Sequence, residues 1–510
     1  MAKKRRVVEV NLPLLDGLVD ATEQRYLSPE ERLTLKTALH EMAQGLMPSL
    51  NSEKFEKLLE RHRPRPSTDE ETEQKKVPGH GRNGAAAFTG AARVPVPHAS
   101  LRPGGSCEHC PKGKVYLARS GPAPLIRVTG QVPFQATVYE LERLRCNLCG
   151  EYYQADVPEG VGPDKYDETV ASMIGILKYG KGVPFNRLEG LQKSAGVPLP
   201  ASTQWEIVEE AAELLKPVYE ELVHQAAQAD LEYVDDTRAR ILEVQREPDD
   251  ERTGVFTTAM VAELNDGKIA LFMSGTQHAG ENSTDVLAHR EPNRSPVIFM
   301  SDALNHNKPD VNDGVELVVA NCLAHGRRQF VESLNGFPDQ CLHVLEQLGT
   351  VYKNDAQARE LGLDANQRLK YHQAHSKSVM SELHKWLEAE LEEKRVEPNS
   401  RLGKAMKYLL THWKELTLFL RHPGAPLDNN ICERAIKKAV LHRKNALFYR
   451  NLDGAFVGDV FMSLIHSCEL NGVNPFNYLN ALQRHALAAR ARPSAWMPWN
   501  YEASAGNSTA

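Results

Sequence analysis

No apolar run in this sequence approaches the roughly 20 residues that a bilayer-spanning helix needs. The charged start, Met1-Ala2-Lys3-Lys4-Arg5-Arg6, is not followed by an apolar signal region. Both absences point to a cytoplasmic protein with no membrane partner. A large excess of one charge is missing too, since 61 Lys and Arg against 67 Asp and Glu leave a formal net charge of −6. That excludes a small histone-like binder but not nucleic acid, because local basic patches do the work of neutralising phosphates. Cysteine is sparse: the eight residues fall into two Cys-x-x-Cys pairs and four scattered singles. That layout in so long a chain excludes a secreted disulfide framework. The 510 residues predict about three domains.

What is present changes character along the chain. Residues 12–26, 29–47 and 52–61 carry apolar residues three and four apart, with Ser28 and Asn51 or Ser52 as caps. They predict helices in an N-terminal segment, 1–62. Residues 63–104 are polar and rich in Pro, Gly and Ala, as a flexible linker is. Cys107-Glu108-His109-Cys110 and Cys146-Asn147-Leu148-Cys149 follow, with 35 residues between the pairs (146 − 110 − 1 = 35) and strand-like runs at 114–118, 125–129 and 136–145. A Cys-x-x-Cys turn presents two thiolates; two such turns joined by strands make a closed tetrahedral site for a structural Zn2+. Cys107, Cys110, Cys146 and Cys149 are the expected ligands of a domain over 105–155. One pair alone would equally suit redox chemistry.

Helical periodicity returns over 156–230, at 167–179, 185–195 and 203–228. The last two flank Gly196-Val197-Pro198 and make a helix–turn–helix-like pair for DNA, a pattern that any two packed helices with a short break share. Strands are expected at 231–242, 254–264, 268–274, 295–302 and 318–322, with a helix opening at Leu323. Residues 336–425 hold no clear strand and read as long helices at 341–361, 366–395 and 401–421.

The stretch from Pro426 to Phe448 reads as a loop feeding a helix, capped by Asp428 or Asn429, with Ile431, Ala435, Ile436, Ala439 and Val440 as its apolar stripe. Glu433 lies off that stripe among Arg434, Lys437 and Lys438, with His442, Arg443 and Lys444 after it. One carboxylate amid cations suits a place where metal and phosphate meet; a surface pair of Glu433 with Lys437 is the plain alternative. Asp235, beside Asp236, and Asp302 at a strand end supply two further acids, with separations of 302 − 235 = 67 and 433 − 302 = 131 residues. Three antiparallel strands, a carboxylate-ended strand and an acidic helix follow the order of an RNase H-like domain. The expected fold is therefore multidomain α+β. An RNase H-like mixed α/β catalytic domain spans 231–335 and 426–490, with a helical insertion at 336–425 and a tail at 491–510. A zinc ribbon-like domain and helical N-terminal segments precede it. Asp235, Asp302 and Glu433 converging at one end of the sheet would hold two divalent cations about 3.5–4 Å apart, Mg2+ or in its place Mn2+, suited to in-line displacement at phosphorus.

The sequence resembles the large transposase of the insertion-sequence-sixty-six type, a DDE transposase family. The resemblance rests on Asp428-Asn429-Asn430-x-x-Glu433-Arg434-Ala435 through Arg443-Lys444-Asn445-x-Leu447-Phe448, and on Leu470-Asn471-Gly472-Val473-Asn474-Pro475 with Tyr478-Leu479. Ala324-His325-x-Arg327-Arg328-x-Phe330, the strand ending in Asp302 and Asp235-x-Thr237 add to it. Where the family reads Asp-Glu-Thr, this chain reads Asp235-Asp236-Thr237; Asp235 is the matching position and Asp236 its rival. The resemblance implies metal-dependent strand cleavage at element ends and strand transfer into target DNA by Asp235, Asp302 and Glu433. It points to His325, Arg327, Arg328, Arg434, Arg443 and Lys444 as contacts to DNA phosphates. It also implies a homo-oligomer holding two DNA ends, work at the bacterial nucleoid, and helper proteins from the same element. Two other readings remain: a catalytically inactive zinc-containing DNA-binding relative, and a nuclease that hydrolyses without joining.

Overall fold

Continuous or alternating apolar runs after Asp230 become the strands of one sheet in the computed structural model, which describes residue 86 and residues 93–106, 112–117, 133–145, 147, 149, 152–162, 164–244, 253–311 and 314–507. The chain divides into two units, Met1–Val128 and Thr129–Ala510. In the first, Ser106 and Lys114 form an antiparallel bridge, flanked by a hydrogen bond from Gly104 N–H to Val115 O at 2.7 Å. The helices expected at 12–61 and the run at 125–129 lie outside the described residues.

The second unit opens with a ribbon of β1 (Arg143–Arg145) and β2 (Tyr152–Gln154). Three helices follow: α1 (Glu168–Gly175), continued by a π-helical turn, α2 (Phe185–Ser194) and α3 (Ala201–Ala226). Then come β3 (Leu231–Arg238), β4 (Ile241–Glu243), β5 (Phe256–Glu263), β6 (Lys268–Gly275), α4 (Ala279–Leu287), β7 (Val297–Ser301) and β8 (Leu317–Asn321). A helical block holds α5 (Leu323–Ser333), α6 (Pro338–Glu360), α7 (Ala365–His375), α8 (Lys377–Glu392), α9 (Arg401–Thr411) and α10 (Trp413–Leu416). The chain closes with α11 (Asn430–Ala446), β9 (Tyr449–Asn451), α12 (Leu452–Leu470), α13 (Pro475–Arg484), α14 (Ala486–Ala491) and α15 (Tyr501–Asn507).

The main sheet has the order β6-β5-β3-β7-β8. β5 runs antiparallel to both β3 and β6, whereas β3, β7 and β8 are parallel. The carboxyl ends of three neighbouring strands therefore open at one edge, where ligands gather in open sheets of this kind. β6 is an edge strand, and α12 closes it. Asp459 accepts from Ser274 N–H at 2.6 Å, Ser463 from Phe272 N–H at 2.9 Å, Ser467 from Ala270 N–H at 2.9 Å and Asn471 from Lys268 N–H at 3.0 Å. Every fourth residue of the helical run meets every second residue of the strand. The match is geometric: four helical residues rise about 6 Å and two strand residues about 6.7 Å.

Two apolar cores result. The larger joins the sheet to α1, α3, α11, α12 and the C-terminal helices. The smaller lies within the helical block, from Leu323 to Leu427. The stretch expected as a tail puts Trp496, Met497 and Tyr501 into the larger core instead, because their rings and side chain have apolar area to bury. Three expected elements break. The strand expected over 231–242 ends at Arg238, and β4 leaves to pair in parallel with β9. The helix expected over 366–395 parts at Ser376, whose hydroxyl meets His372 Nδ1 at 3.0 Å. That over 401–421 parts at His412. Of the strand expected at 136–145, the residues Arg143–Arg145 pair.

Candidate active site

β3 and β7 pair in parallel, with Leu231 beside Ile298 and Tyr233 beside Met300. Continued by two residues, that register sets Asp235 beside Asp302, on strands about 4.8 Å apart. Side chains alternate along a strand, so Asp235 and Asp302 share a face and Asp236 points to the other. Burial, the charge of Asp302 and the lesser charges of Asp236 and Glu433 push the Asp235 carboxyl up to about 7. One Asp235 oxygen, Oδ1, takes the Asp236 N–H at 2.9 Å. Asp302 Oδ1 takes Asn307 Nδ2 and, at 3.4 Å, Leu304 N–H.

Glu433 arrives on the first turn of α11, and the sequence just before it fixes where. Asp428 Oδ1 accepts the Asn430 N–H at 3.1 Å. Asn429 does not cap with its side chain, as one expectation had it. Its Nδ2 donates to Val234 O at 2.9 Å and its backbone N–H to Cys322 Sγ at 3.2 Å. The helix start is thereby tied to β3 one residue before Asp235. Cys432 adds a second tie, its thiol donating to Ala259 O at 3.1 Å, and Ala259 is the cross-strand partner of Asp235. Glu433 turns toward α5: Oε2 lies 3.4 Å from Arg328 and Oε1 3.7 Å from His325 Nε2. Oε1 is buried and accepts no hydrogen bond.

The expected cations divide by role. Arg327, Arg328, Arg434 and Lys444 are exposed. Arg443 braces β3, donating to Thr237 Oγ1 at 3.1 Å and to Arg238 O. His442 lies inside the helix rather than after it. It is buried between Tyr179 and Tyr449, and burial with the nearby charge of Lys178 pulls it down to about 3. It adds no positive charge. The buried stripe of α11 is Cys432, Ala435, Ile436, Ala439 and His442, so Ile431 and Val440 are only partly covered.

Asp236, the rival acid, meets His278 Nδ1 at 3.0 Å, just before α4 and across the sheet from α11. Cys322, His325 and Glu433 each bring one donor atom within 4.8 Å of the others. Burial pushes the Cys322 thiol up to about 11, so it keeps its proton as the acceptor for Asn429. Cys107, Cys110 and Cys146 lie outside the described residues; Cys149 is exposed. The sequence reading missed Asn429 as a tether, Cys432 as a second one and Asn307 as the holder of Asp302. The doubled asparagine at 429 and 430 was the available signal, since a single cap needs only one.

An oxygen-only set suits a hard divalent cation. Asp235 and Asp302 offer such oxygens, whereas among the described residues the clusters of three donor atoms within 4.8 Å group Glu433 with Cys322 and His325. Among the described residues, no helix is long and apolar enough to cross a membrane.

Comparison with known proteins adds an independent line. The chain is 36% identical over 193 residues to the uncharacterized protein y4jD of Sinorhizobium fredii (strain NBRC 101917 / NGR234), a span of 37% of each chain. It is 25% identical over 426 residues to y4hP of the same organism, covering 79% of this chain and 74% of that one. A third, y4qI, is 30% identical over 200 residues, covering 38% of this chain and 36% of the relative. The chain thus spans little more than a third of y4jD and y4qI. Residues 165–456 match the model of the family described as Transposase IS66 family. That match covers more than half of the sequence and takes in all three acids, and the chain belongs to the IS66 family of transposases.

Proposed function

We propose that this protein is a DNA transposase whose RNase H-like domain cuts DNA at element ends and joins the freed 3′ end to target DNA. The observation that supports this most directly is the parallel register of β3 and β7, whose continuation by two residues brings Asp235 to Asp302, the neighbour whose charge helps raise the Asp235 carboxyl. In this reading Asp235, Asp302 and Glu433 are the catalytic acids and hold two Mg2+ ions, for which Mn2+ can stand in. Bound there, the ions would supply Lewis-acid stabilisation to the attacking and leaving oxygens of an in-line displacement. The chain's own residues do the arranging. Asp236 N–H holds one oxygen of Asp235 and leaves the other free; Asn307 does the same for Asp302. Arg327, Arg328, Arg434 and Lys444 line the approach and neutralise DNA phosphates, while Arg443 keeps the end of β3 in place.

Around this centre the reading adds a structural Zn2+ on Cys107, Cys110, Cys146 and Cys149, DNA contacts from residues 156–230, and assembly of several copies so that two DNA ends are held together. Such a protein works at the nucleoid. The test is strand transfer with Mg2+ on DNA carrying the element's own ends, using Asp235→Ala, Asp302→Ala and Glu433→Ala separately. Each variant is expected to bind ends and to yield no joined product. Full joining by any one of them removes that residue from the mechanism; products that are cut but never joined by the wild type make the protein a nuclease.

A further inference from the structure

On the far face of the sheet, Asp236, His278 and His306 each bring one donor atom within 4.8 Å of the other two. Three different segments deliver them: β3, the residue before α4, and the loop after β7. The arrangement is built. Phe256 lies against the His278 ring, with centroids 3.9 Å apart, and the His306 ring sits 4.7 Å from His278. The loop bearing His306 is seated on α4 at Gly280, where a Cβ would come within 2.6 Å of the carbonyl oxygens of both His306 and Lys308. Asp310 N–H fastens the same loop to Thr284 Oγ1 at 3.0 Å. Only glycine at 280 lets the loop approach closely enough for His306 to reach its two partners.

Two imidazoles and a carboxylate form the donor set of a transition-metal site with an open position, not of a magnesium site. We infer that Asp236, His278 and His306 bind one divalent transition-metal ion of the zinc type. The ion replaces the Asp236–His278 contact with a bond to each and pins the loop after β7 to α4. That loop also carries Asn307, which holds Asp302. The ion therefore acts as a clip on the far side of the sheet that fixes Asp302 without touching it. The site stands whether or not Asp235, Asp302 and Glu433 prove to be catalytic.

The experiment is titration of the full chain with Co2+ in excess Mg2+, added to keep Co2+ off oxygen-only sites. Wild type is expected to bind one more equivalent than His306→Ala, and the added equivalent should show visible d–d bands without the near-ultraviolet thiolate band of a cysteine site. His306 is exposed, so its loss leaves the core intact; His278→Ala should lose the same equivalent. Gly280→Ala keeps all three donors but crowds the loop, and should weaken Co2+ binding about tenfold or more. Equal stoichiometry in wild type and His306→Ala overturns the site. Unchanged affinity in Gly280→Ala overturns the role of the loop.

Discussion

At the scale of single residues, the pair Asp235 and Asp236 carries the most consequence. Adjacent acids look alike in a sequence. A strand sends them to opposite faces, and only the pairing of β3 with β7 says which face receives Asp302. The resemblance named Asp235 with Asp236 as its rival; the register puts Asp235 on the face that Asp302 shares and Asp236 on the other. Burial gives that choice a measurable signature. Burial first, and the charge of Asp302 next, push the Asp235 carboxyl up to about 7 from its ordinary 3.8, so the folded protein holds the proton more tightly than the unfolded chain. The stability this confers is complete below pH 3.8 and is lost as pH rises from about 4 to about 7. Asp235→Asn removes the charge at nearly constant shape. In chelator, it should melt above the wild type at pH 8, with the gap closing toward pH 4. Thermal melts at both pH values check this, and a wild type that melts higher at pH 8 contradicts it. On the proposed function, saturating Mg2+ should raise the wild type and leave the variant nearly unmoved.

At the scale of elements, α12 and β6 show what periodicity can and cannot reveal. Residues 452–470 are apolar on nearly every side, which identifies a buried helix. Asp459, Ser463, Ser467 and Asn471 look like a thin polar stripe on it. Their meaning as replacements for a missing strand appears only once β6 is known to be an edge. The burial of Asp459 is severe enough to push its carboxyl up to about 7 even with two hydrogen bonds from Ser274. Ser463→Ala should leave the Phe272 N–H buried and unpaired, costing about 1–3 kcal/mol. Urea unfolding measures the loss, and amide exchange should quicken first in β6. Unchanged stability would mean that water or a shifted neighbour takes over the bond. Helix ends were legible to the same limited degree. Expected helices merged across Ser376 and His412 because neither position carries glycine or proline; at Ser376 the hydroxyl takes a long-range hydrogen bond from Asn354 Nδ2 at 3.1 Å, which no local pattern announces.

At the scale of the whole molecule, the acids of the sheet and the acid of α11 are joined by a helical block with a core of its own. Leu383 on α8 is wholly buried there. Leu383→Ala should cost about 2–5 kcal/mol, with amide exchange rising through α6 and α8 while β5 stays protected. Equal loss of protection in β5 would show that both cores melt together. The block was legible as a run of helices because strand patterns stop before it and the acidic helix follows it. Its separate core was not, since a list of helices does not say which of them share neighbours. The interval also has a consequence in time. Asp235 and Glu433 stand 198 residues apart (433 − 235 = 198). A ribosome adding about 5–20 residues per second takes about 10–40 s to cross that interval. The early acids thus leave the exit tunnel well before their companion exists. On the proposed function, a polypeptide abandoned anywhere within that interval has no means of injuring the chromosome beside which it was being made.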